Sequence, residues 1–476
     1  MSVPQQSWQP DRRGPLHGVR VLDFSRLVAG NMLSLQLADF GAEVVKVETP
    51  GRGDTLRDWH ESGVSVHWKV YARNKKSITL NLKAAEAPAV VLDLAAGFDV
   101  LIESFRFRYL ESLGVGPDAL LARNPRLVVV RVSGFGQTGP YSKRPGFGTL
   151  VEAMSGFASR NGFADREPVL PPLAMADMIA GLYGAMAAVI AVRDVEVNGG
   201  RGQVIDLSLL ESIFSILGPE AAIHKLSKKV RQRVGSASES TSPRNVYATK
   251  DGGWVAISAS TQAMTERLFR AIGRADLNDD PAFRTNAERI KRREAVDAIV
   301  GGWIGERTLA DAVAFFERAG VTAAPVYDIA QFLDDVHVRE RGIVVEAPDP
   351  EMGAVPMHAV VPRLSGTPGE LRTPAPGIGE HNDEVYARIG YSSERIAALR
   401  KQEVIWANRW RARGARLSSF PSTCRASSRV RGGGGLTPWC SISRTRCPPR
   451  RRPRPGASCA LPCRWPGAAA PRSWCG

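Results

Sequence analysis

Apolar residues in the first half of the chain fall into short unbroken runs separated by amphipathic stretches. The runs at 19–24 and 43–48 bracket a segment, 31–40, whose apolar positions recur at helical spacing, and the three together predict a βαβ unit. Further runs at 77–82, 99–103 and 127–133 predict strands, with helices between them at 84–96 and 117–124. Strands that are apolar throughout, rather than alternating, need cover on both faces, so this half is expected to be α/β: a parallel sheet between helices. After the glycine-rich turn at 199–202, residues 203–209 predict another strand leading into an apolar helix through 211–216.

The pattern then changes. Residues 225–242 are polar and basic and read as a linker into a smaller domain, with a strand at 253–258 and helices at 261–272, 288–304 and 309–319. Proline-rich segments at 347–353 and 367–379 return the chain, and no internal repeat is present. From about residue 417 periodicity stops. Residues 417–476 are rich in Arg, Pro, Ser and Cys, which predicts disorder, and a GC-rich coding region read out of frame would give such a composition.

That tail alters the meaning of the net charge. The 476 residues carry +15, but the tail holds 11 Arg and no acidic residue, leaving 52 basic and 48 acidic residues in 1–416. A body at +4 argues against a folded polyanion-binding surface, so nucleic-acid binding rests on the tail alone. All six cysteines also lie there (Cys424, Cys440, Cys447, Cys459, Cys463, Cys475), with no CxxC pair and no His among them, so no metal site is expected. A body without cysteine needs no oxidising compartment, and the N-terminus shows no secretory pattern. The longest apolar run, 178–192, is short for a membrane span and rich in Gly and Ala, as in a tightly packed core helix. The expectation is a soluble cytoplasmic protein with no membrane partner.

Local signatures of several chemistries are missing. The first βα turn, 25–30, has one glycine where a dinucleotide fingerprint needs three, and there is no GxxxxGK[ST], HExxH or GxSxG. What remains is carboxylate chemistry. Asp177 stands where a helix of small residues begins, after Pro171 and Pro172. As a residue type at that place it serves as a helix N-cap, or, held ionised by the helix terminus, as a nucleophile; spacing alone leaves both open.

Seven ordered segments resemble the family III CoA-transferases, the group that includes formyl-CoA transferase and the CaiB-like and BaiF-like proteins. They are PLHGVRVLDF at 15–24, LADFGAEVVKVE at 37–48, RNKKSITLNL at 73–82, SGFGQTGPY at 133–141, ADMIAG at 176–181, GRGQV at 200–204 and GEHNDE at 379–384. The resemblance covers about 15–400. It implies a Rossmann-like large domain built from 15–225 and a return segment, 331–410, a smaller α+β domain at 226–330, and two chains threaded into an interlocked homodimer.

It also implies a reaction: coenzyme A, a substrate rather than a permanently bound cofactor, moves from an acyl-CoA to a carboxylic acid. The residue matching Asp177 forms first an aspartyl anhydride and then an aspartyl-CoA thioester. Leu27, Val28 and Ala29 match a loop lying against CoA, and Lys75 matches a basic residue near its phosphates. Ser104, Phe105 and Arg106 match an adenine-side stretch usually written Asn-Phe-Arg-Pro-Gly, from which Ser104 departs, and Lys143 or Arg144 is a further candidate for a phosphate. Formyl-CoA transferase has an acidic residue where Gly148 stands, and only 234–240 stands where it has a glycine-rich loop, so its substrate choice does not carry over. The related acyl-CoA racemases use a His and a Glu where Phe147 and Ala248 stand, which favours transfer over racemisation or dehydration. The runs 146–150 and 171–173 look closest to members that use dicarboxylates such as succinate.

Overall fold

The computed structural model describes residues 3–405; the segment 417–476, whose composition predicts disorder, lies outside them. Six strands, β1 (Arg20–Asp23), β2 (Glu43–Glu48), β3 (Lys75–Thr79), β4 (Val100–Glu103), β5 (Val128–Ser133) and β6 (Val204–Ser208), form a wholly parallel sheet in the order β3-β2-β1-β4-β5-β6. Each coincides with an apolar run except β3, which starts two residues before the run at 77–82. The offset arises because Lys75, polar in sequence, is fully buried and pairs in register with Val44.

Side chains leave the strands alternately, so each face has its own core. Leu22, Val45, Ile78 and Leu101 point to one, covered by the helices Ala87–Ala96, Pro117–Arg123, Asn382–Arg388 and Ser393–Lys401. Val21, Val44, Val100, Val128 and Val130 point to the other, beneath helices α1 (Ala29–Asp39), α2 (Gly148–Met154) and α3 (Met175–Val197). The sequence reading placed no element over the last two helices of the first face.

Helix α3 lies unusually close to α1, and glycine is the reason. A Cβ on Gly181 would stand 2.7 Å from the Met32 side chain and 2.9 Å from the Ala29 carbonyl oxygen; one on Gly184 would stand 2.4 Å from Leu33 Cδ1. Among the described residues α3 is the one helix long and apolar enough to cross a membrane, by length and composition alone. Its small residues, Ala180, Gly181, Gly184, Ala185 and Ala188, are buried, while Leu182, Met186 and Ile190 are exposed.

A separate antiparallel sheet, β7 (Arg244–Ala248), β8 (Trp254–Ser258) and β9 (Ala323–Pro325), packs with the helices Gln262–Ala271, Arg293–Gly305 and Leu309–Arg318 around Leu268, Phe269, Val300 and Phe316. The helix expected over 288–304 is two helices, Asn286–Lys291 and Arg293–Gly305. Just before the break, buried Arg289 donates to the carbonyls of Ser242, Phe283 and Arg284 and so ties this corner to the incoming linker. The proline-rich stretch at 347–353 lies within a hairpin of β10 (Val344–Asp349) and β11 (Gly353–His358), which the sequence reading missed.

Candidate active site

In this strand order the chain leaves β1 toward β2 and β4 toward β5, so the C-terminal ends of β1 and β4 flank the crevice where open α/β sheets bind ligands. Two loops meet there. The Arg26 N–H donates to Ser104 Oγ across 3.0 Å, joining the β1 loop to the β4 loop. The Phe105 N–H donates to buried Glu103, and the Phe105 ring packs on Tyr109 with centroids 5.0 Å apart. A cleft of about 610 Å³ opens beside them, lined by Arg26, Thr49, Asn81, Lys83, Tyr109 and Arg400 among others.

The β1 loop is held in a conformation it would not adopt unaided. Leu27 has φ +61°, a region costly for a branched side chain. Asp54 Oδ1 accepts its N–H at 3.0 Å, while Asn31 Nδ2 donates to its carbonyl at 2.6 Å and to Asp54 Oδ2 at 2.8 Å. Beneath lies a buried network. Lys46 Nζ stands 3.0 Å from Asp54 and 3.3 Å from Asp23, and Asp23 also accepts from Ser25 and Ser34. Burial works against the Lys46 charge, but the Asp23 and Asp54 carboxylates more than offset it and hold the ammonium above its usual pKa. Asp54 is held below the usual carboxylate range despite burial, by Lys46 and by the N–H groups of Leu56 and Leu27.

Lys75 belongs to this network and not to the surface. Its side chain is fully buried, donating to the Asn31 carbonyl and Oδ1 at 3.0 and 3.1 Å, with Asp23 4.0 Å away. From this position it props the loop from below, since its ammonium holds the Asn31 carbonyl and side-chain oxygen. Burial, with the neighbouring Lys46 charge, pushes it down to about 7 against the pull of Asp23.

The loop delivers its product at its far end. Residues 27–29 run into α1, and the Ala29 N–H lies near enough to the Asp177 carboxylate to favour its ionised form. Asp177 does not cap α3: the N-cap is Ala174, without a side-chain bond, and Asp177 sits in the first turn. Gly181, one turn on, rests against the Ala29 carbonyl, so the close packing of α3 on α1 puts the carboxylate at the loop. Gly148, the first residue of α2, provides the remaining room, since a Cβ there would stand 2.1 Å from Asp177 Oδ2. Glu152, one turn along α2, is 2% exposed and its Oε1 accepts the Ala176 N–H at 3.0 Å. Burial and then the Glu152 charge push Asp177 up to about 6, with its own N–H and that of Ala29 pulling the other way. A basic carboxylate with room on one side is suited to attack a carbonyl.

The other candidates divide. Val28 is buried as the N-cap of α1, whereas Leu27 is half-buried. Arg106 is exposed beside Phe105. Lys143 and Arg144 are exposed on the loop after β5, with Arg144 stacked 3.7 Å over Tyr141, and the neck of that loop closes where Gly134 and Gly146 meet backbone to backbone. Three residues went unsingled by sequence reasoning or were weighed only as a departure: Arg26, Gly148 and Glu152. Arg26 had a signal, a basic residue in the turn after the first strand, which lacks the glycine fingerprint; Glu152 had one too, an acid between Val151 and Ala153. Among the described residues no group of three or more His, Cys, Asp or Glu could hold a metal ion.

The family model for CoA-transferase family III matches residues 16–382. The succinyl-CoA–D-citramalate CoA-transferase of Chloroflexus aurantiacus is 37% identical over 403 residues, covering 84% of this chain and 100% of that protein. The beta subunit of succinyl-CoA–L-malate CoA-transferase from the same organism is 39% identical over 398 residues, covering 82% and 98%. A CaiB/BaiF family protein from Brucella suis superposes with a TM-score of 0.70 at 30% identity, covering 79% of this chain and 100% of that one. Because the matched span contains the whole six-stranded sheet, the β1 loop and Asp177, sequence and architecture agree, and the chain belongs to CoA-transferase family III.

Proposed function

We propose that this enzyme moves CoA from an acyl-CoA to a carboxylic acid, with dicarboxylates such as succinate on one or both sides, and that Asp177 is the nucleophile. The observation that carries the assignment is the placement of Asp177: partly buried, raised toward neutrality, faced by a backbone N–H and by the bare backbone of Gly148. An ionised Asp177 attacks the thioester carbonyl, the C–S bond breaks, and CoA leaves as thiolate. The thiolate then attacks the aspartyl carbonyl of the anhydride, and the donor departs as carboxylate. An acceptor carboxylate repeats the sequence in reverse, regenerating Asp177. No proton has to be moved, so the site needs a carboxylate and donors for developing oxyanions more than an acid or base. The Ala29 N–H is one such donor in reach of Asp177.

In this reading the nucleotide end of CoA occupies the cleft between the β1 and β4 loops. Arg26 lines that cleft and Ala29 meets Asp177 three residues later, so a single loop spans from the phosphates to the reacting carbonyl. Arg26, Lys83 and Arg106 supply positive charge there, Phe105 and Tyr109 a ring surface for adenine, and Ser104 a tie between the loops. Lys143 or Arg144, exposed on the loop after β5, is a further candidate for a CoA phosphate. The racemase alternative loses support, since Phe147 is an exposed N-cap and Ala248 lies in β7, and neither side chain can take a proton.

A homodimer, interlocked as the family resemblance implies, is part of the proposal. Leu182, Met186 and Ile190 of α3 are exposed, as are Phe147, Leu150 and Leu173 around Asp177, and so large an apolar surface needs cover. A second copy would also keep water from the anhydride. We place the enzyme in the cytoplasm, with CoA as substrate and no permanent cofactor. The test uses the full chain with succinyl-CoA and D-citramalate or L-malate, following acyl-CoA species by mass spectrometry. A new acyl-CoA formed without accumulation of free CoA is expected; succinyl-CoA that stays intact with every dicarboxylate offered would overturn the substrate class.

A further inference from the structure

We propose that Glu152 is a positioning residue for the transfer reaction: its buried carboxylate, seated across Gly148 from Asp177, penalises the ionised resting nucleophile and favours the states in which Asp177 is acylated. The inference rests on Asp177 being the nucleophile.

The two carboxylates share one small space. A Cβ on Gly148 would lie 2.1 Å from Asp177 Oδ2 and 3.8 Å from Glu152 Oε1, so the two oxygens are no farther apart than those two legs end to end. The Ala176 N–H fixes Glu152 at 3.0 Å, and this same peptide precedes Asp177, which leaves the glutamate little freedom to swing away. Among the described residues neither carboxylate has a Lys, Arg or His partner within ion-pair distance. The charges on neighbouring elements are engaged elsewhere or face solvent: Asp39 of α1 pairs with Arg73, Arg26 reaches Thr49, Arg144 lies on Tyr141, and Lys143 is exposed. Among the described residues Glu152 is the charged side chain that acts on Asp177, and it acts in the same direction as burial.

Like charges held together in a low-dielectric site cost free energy that is relieved when one is neutralised. Acylation does this without a proton. When Asp177 oxygen bonds to the thioester carbonyl carbon and the C–S bond breaks, the negative charge that sat on Asp177 leaves on CoA sulfur. When the thiolate then bonds to the aspartyl carbonyl carbon, the charge leaves on the donor carboxylate. In both covalent states Asp177 is neutral beside Glu152, so the glutamate raises the resting state and leaves the intermediates largely untouched.

The test compares Glu152→Gln, which keeps an oxygen to accept the Ala176 N–H, with Glu152→Asp, which keeps the charge. Two quantities are read: the acid limb of kcat/KM between about pH 5 and 8, and the fraction of enzyme carrying acyl or CoA after mixing with acyl-CoA. For Glu152→Gln the limb is expected to move down by about one pH unit and the adduct fraction and kcat to fall about tenfold, with KM little changed. Glu152→Asp should keep the raised limb. If Glu152→Gln matches the parent in both readouts while Glu152→Asp is impaired, the side chain serves only to hold the start of α3 and the proposal is overturned. Asp177→Ala separates this from the parent reading: transfer surviving in Asp177→Ala sinks the nucleophile assignment, whereas an inactive Asp177→Ala beside an unaltered Glu152→Gln sinks the Glu152 proposal alone.

Discussion

Two clusters of buried charge flank the same short loop, and they are built on opposite rules. Below residues 25–31, Asp23, Lys46, Asp54 and Lys75 alternate in sign, and each carboxylate has an ammonium within 4 Å. Above the loop, Asp177 and Glu152 have the same sign and no cation between them. The matched cluster fixes a backbone shape, with Leu27 at positive φ; the mismatched one places repulsion at the proposed nucleophile. Burial is common to both, so burial alone does not mark a functional carboxylate. What distinguishes the proposed nucleophile is the opposite charge that is missing beside it.

Removing the proposed nucleophile should have the largest effect: Asp177→Ala is expected to lower transfer by at least about 10⁴-fold, with circular dichroism unchanged. The mismatched cluster should also cost stability. Asp177 holds its proton more tightly in the folded chain than in the unfolded one, so its contribution falls as pH rises from the usual carboxylate range through about 6 and stays low above it. Asp177→Asn should therefore be more stable than the parent at pH 7.5, by about 1–2 kcal/mol in urea melts, with the gain falling to about a third of that at pH 4.5. The matched cluster predicts the reverse. Asp54→Ala leaves Lys46 with Asp23 alone for a carboxylate and frees the Leu27 N–H, and should destabilise by about 2–3 kcal/mol while also reducing kcat. Gly148→Ala probes the room between the clusters and the substrate; transfer should drop about 100-fold through displacement of Asp177, with little change in melting. Smallest is Arg26→Ala at the cleft, expected to raise KM for acyl-CoA about five- to tenfold with kcat nearly constant, read by steady-state kinetics.

Much of the sheet was legible because its strands are buried on both faces and so appear as continuous Val, Leu and Ile runs; β4 and β5 fall where those runs lie. β3 was misplaced for an electrostatic reason, since a buried Lys75 looks like a surface residue until its partners Asn31 and Asp23 are known. The hairpin β10–β11 was hidden by Pro348 and Pro356, which ordinarily argue against paired strands. Asp177 could be picked out from its place at the start of a small-residue helix, but spacing left cap and nucleophile open, because the approach of Ala29 and Glu152, on which the proposed role rests, comes from residues far away in the chain. Arg26 and Glu152 were visible as residue types. Their significance depends on which loops meet at the β1–β4 crevice, and that is a property of strand order.

The most direct measurement is chemical trapping. The full chain is mixed with acyl-CoA, reduced with borohydride and digested, and the peptides are read by mass spectrometry. The account predicts a reduced side chain at Asp177, on the peptide that spans the start of α3, and its absence in the Asp177→Ala protein. Modification of a different peptide, or an unchanged yield in that variant, would contradict it.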